Sequence, residues 1–373
     1  MKHFLSIVAL LFWVIAPTKA QSKAYFLGHS LVNFDMPSMV EGLSAAAGKA
    51  YDYDLQVGIG ANLGWQWVNP YTAGGDIWDT TLTKGGFTHF ILTEAVPVAG
   101  QIIWSDTYGY ADKFYNYAAQ HNPGIKMYIY ETWSCTDSGT PIGCEWDDHD
   151  ELLWRTRLTA DLPLWEGIAD TLLAIHPGAN IFLAPAGQAL AMLYDSIAAG
   201  NAAGETDILD FFHDNIHLND KGNYLVACVM FAVIHGESPE GLPNQLYDEW
   251  GGPFEAPSPA LAGLLQRLAW KTVCQYPRDG VACSSVANFE PQATPFRFYP
   301  NPAADFLTVV NDVENSISLQ LSDCLGRPIR SFDLKNGQEN LPLQGLPSGW
   351  YFLKTDRSDL NAQDSKAWKF WKQ

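Results

Sequence analysis

From residue 24 onward the chain alternates between two hydrophobic periods. Short, nearly continuous apolar runs read as strands buried on both faces: "AYFLG" (24–28), "YDLQVG" (53–58), "THFILT" (88–93), "KMYIYE" (126–131) and "NIFLAP" (180–185). Between them the apolar positions recur at three- and four-residue intervals and predict helices over about 36–48, 107–121, 150–175, 188–199 and 220–235, with another near 258–274. Strand-helix alternation of this kind predicts a parallel sheet covered on both faces, a three-layer α/β domain. Ligands of such sheets bind outside the carboxyl ends of the strands, so the residues just after each strand are where chemistry is expected.

Near residue 290 the pattern changes. "NFEPQATPFRFYPNP" is rich in Pro and polar residues, and behind it short alternating stretches, "FLTVV", "SISLQLSD", "PIRSFDL" and "GWYFLKT", are separated by Asn, Gly, Asp and Pro. That is the pattern of a small all-β sandwich. The expected organisation is an α/β domain over 21–287, a linker over 288–293 and a β-sandwich over 294–373. Residues 1–20 have the form of an export signal: Lys2 and His3, an apolar stretch from Phe4 to Ile15, then small residues before Gln21. That stretch is too short to span a bilayer, and no later segment approaches eighteen consecutive apolar residues, so no transmembrane segment is expected.

Composition adds a core and a charge. Apolar residues make up 47% of the chain, with 14 Trp, enough for a substantial interior. The formal charge is -19, and removal of residues 1–20 takes away Lys2 and Lys19 but no acid. Residues 294–373 hold nine basic and nine acidic residues, so the whole excess falls on residues 21–293. Such a surface repels nucleic acid and anionic membranes and favours neutral partners. Of six cysteines, Cys135 with Cys144 and Cys274 with Cys283 are spaced to close short disulfide loops in an exported protein, whereas Cys228 and Cys324 read as small buried residues. "EWDDHDELLW" (145–154) is acidic enough to suggest a hard cation, but acids at the start of a helix are favoured by its dipole, and no metal is expected.

Candidate chemistry lies at the end of the first strand and ahead of a late helix. "YFLGHSL" ends the first strand on Gly28-His29-Ser30, and "FFHDNIHLNDKGNYL" places Asp214 and His217 just ahead of a helix. A Ser hydroxyl needs a base to take its proton, and that base needs a third group to fix its tautomer. Ser30, His217 and Asp214 supply those parts.

On "GHSL" and "DNIHLNDKGNYL" the chain resembles the SGNH (GDSL-type) hydrolases over roughly residues 21–275. The resemblance implies a flavodoxin-like sheet, with Ser30 as nucleophile, His217 as general base and then acid, Asp214 as the orienting carboxylate, and no cofactor. It also implies an oxyanion hole formed by the amides of Ser30 and of a glycine in "VGIGANLGWQW", Gly60 fitting best and Gly58 next. Where the family carries Asn in its third block, this chain has "FILTEAVP" with Glu94; an ionised carboxylate there opposes an oxyanion, so Glu94 is turned away, protonated, or bound to a substrate hydroxyl. His29 stands where the family often has Asp and is expected to be structural. Trp65, Trp67, Trp104, Tyr108 and Trp133 follow strands at the same edge, and such rings stack on sugars, so Trp65, Trp67, Trp133 and Glu94 are the expected substrate contacts. The implied function is a serine esterase deacylating a carbohydrate; the alternatives are a lipid or thioester hydrolase of the same mechanism, or a non-catalytic glycan-binding surface protein. The pieces "FYPNPAADFLTV", "LSDCLGRPI", "LPSGWYFLKT" and "KAWKFWKQ" resemble the C-terminal sorting domain of type IX secretion cargo. That implies the type IX machinery as partner and release from, or attachment to, the surface of a Gram-negative cell.

Overall fold

The computed structural model describes residues 21–283 and, beyond them, 296–299, 303–311, 317–323, 327–335, 337–355 and 367–372. The expected export signal over 1–20, the expected linker over 288–293 and Cys324 lie outside the described residues. The chain divides into two units at Cys283/Ser284, taken here one at a time.

In the first unit the elements run β1 (Ser22–Gly28), α1 (Asp35–Ala46), β2 (Tyr51–Val57), α2 (Leu63–Val68), β3 (Gly74–Gly75), α3 (Trp78–Thr81), β4 (His89–Leu92), α4 (Val98–Trp104) and α5 (Thr107–His121). They continue with β5 (Lys126–Tyr130), α6 (Trp154–Ile175), β6 (Ile181–Ala184), α7 (Ala186–Ala198), α8 (Asp220–His235) and α9 (Pro259–Gln275). The sheet order is β3-β2-β1-β4-β5-β6, with only the two-residue β3 antiparallel. Among the parallel strands this is the flavodoxin-like order, whose reversal point lies between β1 and β4. A site is therefore expected outside the carboxyl ends of those two strands.

The period of two in β1 shows why both faces are covered. Ala24 and Phe26 point into a core shared with α1, α7, α8 and α9, while Tyr25 and Leu27 point into a second core under α5 and α6. Helix α8 is buried without interruption from Gly222 to Ile234, as expected of a helix that is apolar all round. Its ends are fixed locally: Asn219 accepts hydrogen bonds from the Lys221 and Gly222 amides, and Gly236 takes the left-handed conformation that ends the helix. The start of α8 thus sits immediately behind His217.

Two expectations shift here. Helix α6 begins at Trp154, not 150, so the acids of 145–151 precede it instead of lining its first turn. Several serve the loop: Asp147 pairs with buried Arg157 at 3.1 Å, and Asp150 accepts from the Cys144 amide at 2.6 Å. The stretches holding Trp65, Trp67 and Trp104 are the short helices α2 and α4, too brief to show a helical period. Disulfides join Cys135 to Cys144 and Cys274 to Cys283, and Cys228 is a buried free thiol.

The second unit is all-β. Strands β7 (Phe296–Tyr299), β8 (Phe306–Asn311), β9 (Ile317–Asp323), β10 (Pro328–Leu334), β11 (Gly337–Pro342), β12 (Gly349–Thr355) and β13 (Ala367–Lys372) form two antiparallel sheets, β10-β9-β12-β13 and β11-β8-β7. Alternate residues from both sheets, Leu307, Val309, Leu319, Leu321 and Leu353 among them, share one core.

Candidate active site

Strand β1 delivers Ser30 through a tightly packed turn. A Cβ at Gly28 would lie 2.5 Å from Thr93 Cγ2 and 2.6 Å from Val32 Cγ2, so only glycine lets the chain leave β1 this close to β4. His29 is buried, and its Nε2–H donates to the Glu94 carbonyl at 3.0 Å. Burial pushes its pKa down to about 4, so the ring stays neutral and acts as a tie between the ends of β1 and β4. On the far side Asn33, with φ of 47°, accepts from the Asp35 and Met36 amides and donates to Asn223 of α8 at 3.0 Å. Ser30 is thus held between β4 and α8.

The loop ahead of α8 brings the base. Phe212 and Leu218 form an antiparallel bridge, and the His213 amide donates to the His217 carbonyl at 2.7 Å, closing a tight turn. Within it Asp214 Oδ1 accepts from the amides of Ile216 (2.8 Å) and His217 (2.7 Å), an Asx-type turn that fixes the carboxylate. Its Oδ2 lies 2.7 Å from His217 Nδ1, and His217 Nε2 lies 2.9 Å from Ser30 Oγ. The carboxylate holds the proton on Nδ1 and leaves the Nε2 lone pair facing the hydroxyl. Partial burial acts to raise the Asp214 pKa, but the amide and ring of His217 and the amide of Ile216 outweigh it and hold the carboxyl below its ordinary 3.8. A group lowered in this way stabilises the fold above its unfolded pKa and loses that contribution as pH falls through its folded value. Because Asp214 is about half exposed, solvent keeps the contribution small. A carbon-13 titration of the Asp214 carboxyl should show a midpoint below 3.8; a midpoint at or above it would mean the turn is not made in solution.

The second strand supplies the oxyanion candidate. The Gly58 amide is taken by the Gly28 carbonyl at 2.9 Å, and a Cβ there would meet Gln66, Ala61 and Trp65 within 3 Å, so Gly58 is a packing residue. Gly60 is exposed, has φ of 63° and has nothing within 4 Å of its Cβ position. Neither its amide nor that of Ser30 makes a hydrogen bond among the described residues.

Three expected substrate contacts are placed elsewhere. Glu94 is 1% exposed, and its carboxylate accepts from the amides of Leu63 (3.0 Å) and Ala95 (2.8 Å) and the hydroxyl of Thr107 (2.8 Å). Burial raises its pKa, the three hydrogen bonds opposing, and no oxygen is left for a substrate hydroxyl. Glu94 is instead a staple joining β4 to the starts of α2 and α5. Trp133 is 2% exposed and donates its indole N–H to the Ile216 carbonyl at 2.7 Å. Trp67 is partly buried and stacks on Trp78 with centroids 4.4 Å apart, packed against the core under α5. Tyr108 packs against the same core, leaving Trp65 (38%) and Trp104 (84%) as the exposed rings of the expected set. The sequence reading missed Asn33, Asn223 and Thr107; a polar residue just before a helix, as Asn33 is, was the available signal.

Residues 297–366 match the family model described as "Secretion system C-terminal sorting domain". No curated protein matches the chain. Among solved structures it is similar to a DUF4886 family protein from Bacteroides uniformis, at 16% identity and TM-score 0.51, covering 70% of this chain and 97% of that one. A carbohydrate esterase family 3 protein from Talaromyces cellulolyticus matches at 15% identity and TM-score 0.37 (57% and 95% covered), and phospholipase A1 from Streptomyces albidoflavus at 14% and 0.33 (55% and 95%). The chain is thus a mixed α/β domain with the fold of the DUF4886 protein, followed by a secretion system C-terminal sorting domain.

Proposed function

We propose that the α/β domain is a serine ester hydrolase of the SGNH type that removes acyl groups, acetyl foremost, from a carbohydrate outside the cell. The observation that supports it is the unbroken line of hydrogen bonds from Asp214 through His217 to Ser30, at 2.7 and 2.9 Å. His217 Nε2 takes the hydroxyl proton as Ser30 Oγ attacks the ester carbonyl, and Asp214 stabilises the imidazolium. The negative oxygen of the tetrahedral intermediate is received by the free amides of Ser30 and Gly60, a donor of this kind contributing about 3 kcal/mol. His217 then protonates the leaving sugar alkoxide. Water, deprotonated by the same nitrogen, attacks the acyl-serine and releases the carboxylic acid and the free hydroxyl of Ser30. No step requires a cofactor, and the type IX route implied by the C-terminal domain takes the enzyme to its substrate.

The glycan assignment draws on the exposed rings of Trp65, which follows the glycine loop, and of Trp104 at the end of α4, and on the strongly negative charge, which favours neutral substrates. One observation favours a longer acyl chain: Ile59 in the glycine loop (78% exposed) and Ile103 on α4 (59%) are exposed apolar side chains. Rates on p-nitrophenyl acetate and octanoate, together with acetic acid release from acetylated xylan, separate the two. The expected result is at least about tenfold preference for acetate and measurable deacetylation of the polysaccharide, since about six carbons of extra acyl chain need a groove to bury them. Preference for octanoate would favour the lipid or thioester reading.

A further inference from the structure

The loop between β5 and α6 reaches across to the one that carries His217. Its contacts fall on the two residues lying between Asp214 and His217. The amide and hydroxyl of Thr136 both donate to the Asn215 carbonyl, at 2.7 and 3.0 Å; the Trp133 indole donates to the Ile216 carbonyl at 2.7 Å; and Asn215 Nδ2 donates to Asp137 Oδ2 at 2.8 Å. The turn is therefore gripped from inside by the Asp214 carboxylate and from outside by this second loop.

The gripping loop is itself braced. The Cys135–Cys144 disulfide closes it next to Thr136, the Trp154 indole donates to the Ser134 carbonyl at 2.8 Å, and Ser138 Oγ donates to the Leu152 carbonyl at 2.8 Å. Gly139, with φ of 76°, donates its amide to the Asp150 carbonyl at 2.6 Å, and a Cβ there would lie 2.4 Å from the Leu153 amide nitrogen. A loop pinned at so many points offers a rigid template, whereas the imidazole it serves is 40% exposed and has little packing of its own to keep it in place.

Building on the serine-hydrolase reading, we propose that Trp133, Thr136 and Asp137, held by the Cys135–Cys144 bridge, are positioning residues that set the His217 imidazole against Ser30. They touch neither substrate nor the reacting atoms. Their effect is on the chemical step, because a displacement of about 1 Å between reacting groups can cost about 10²-fold in rate.

The second bridge, Cys274–Cys283, provides the control. It closes a loop of the same nine-residue separation, so the two bridges restrict the unfolded chain equally, but its segment lies beside the edge strand β6, where the Arg278 carbonyl accepts from the Leu183 amide. The test uses the full chain and four variants, C135A/C144A, C274A/C283A, T136V/D137A and D137N. Each is followed by kcat and KM on p-nitrophenyl acetate, by the rate at which a fluorophosphonate labels Ser30, and by thermal melting.

The expected result is a fall of about 10- to 100-fold in kcat and in labelling rate for C135A/C144A and T136V/D137A, with KM within about twofold. C274A/C283A should stay within about twofold of the parent in kcat despite a comparable loss of melting temperature, and D137N, whose amide oxygen still accepts from Asn215, should recover most of the rate. Unchanged rates in C135A/C144A and T136V/D137A, or equal losses in both cysteine pairs, would overturn the positioning role while leaving the hydrolase reading intact. Failure of the parent protein to be labelled at Ser30 would overturn both.

Discussion

Replacing Ser30 with alanine should lower kcat on p-nitrophenyl acetate by at least about 10⁴-fold while leaving the melting temperature within about 2 °C of the parent. The large effect follows from geometry: without Oγ, the Nε2 of His217 has no proton to take and the ester carbonyl has no nucleophile. The small effect on stability follows from what the hydroxyl touches, a half-exposed ring in place of a buried partner. His217→Ala should fall as far, and the double variant no further, because groups that act as one unit do not lose their contributions additively. A free-energy loss that doubled in the double variant would mean the two residues act separately. Retention of activity in Ser30→Ala would assign the reaction to another site.

Glu94→Ala should destabilise the α/β domain by about 3 kcal/mol, a drop of roughly 5–10 °C in melting temperature, because it strands three donors that have no water to turn to. Those donors are the amides of Leu63 and Ala95 and the Thr107 hydroxyl, all buried. Glu94→Gln should cost less than about 1 kcal/mol. Its amide oxygen can still accept from both backbone amides, and its NH₂ can donate to Thr107, whose hydroxyl accepts as readily as it donates. Equal melting temperatures for the alanine and glutamine variants, measured by calorimetry, would show that the staple is not what Glu94 provides. Activity should follow the same order, since the Leu63 amide opens α2, three residues beyond Gly60.

Much of this architecture is written in the apolar pattern. All five parallel strands fall where the continuous apolar runs place them, and helices α5 and α8 begin and end where their periodicity does. The short helices α2 and α4 escape because one or two turns cannot display a period of 3.6 residues. At the site, residue type at the end of β1 and ahead of α8, with the family resemblance, picks out Ser30, Asp214 and His217, which the fold brings within hydrogen-bonding distance. Burial was not legible. Glu94 and Trp133 follow strands as a ligand-binding residue would, yet both are turned inward, and the same is true of Glu131, whose buried carboxylate caps α7 through Gln188 and has its pKa pushed up by burial to about 8. A strand end at the carboxyl edge serves catalysis and helix capping alike, and only the neighbouring elements decide which. The contacts between the 133–144 loop and the His217 turn join segments some eighty residues apart, with no motif to announce them.

The most direct test of the central claim is chemical labelling of the nucleophile. Exposure of the protein to a fluorophosphonate, followed by digestion and mass spectrometry, should find the added phosphonyl group on the peptide containing Ser30, with labelling lost in His217→Ala. Phosphonyl transfer to some other residue, or none at all from a protein that nevertheless hydrolyses esters, would contradict the account.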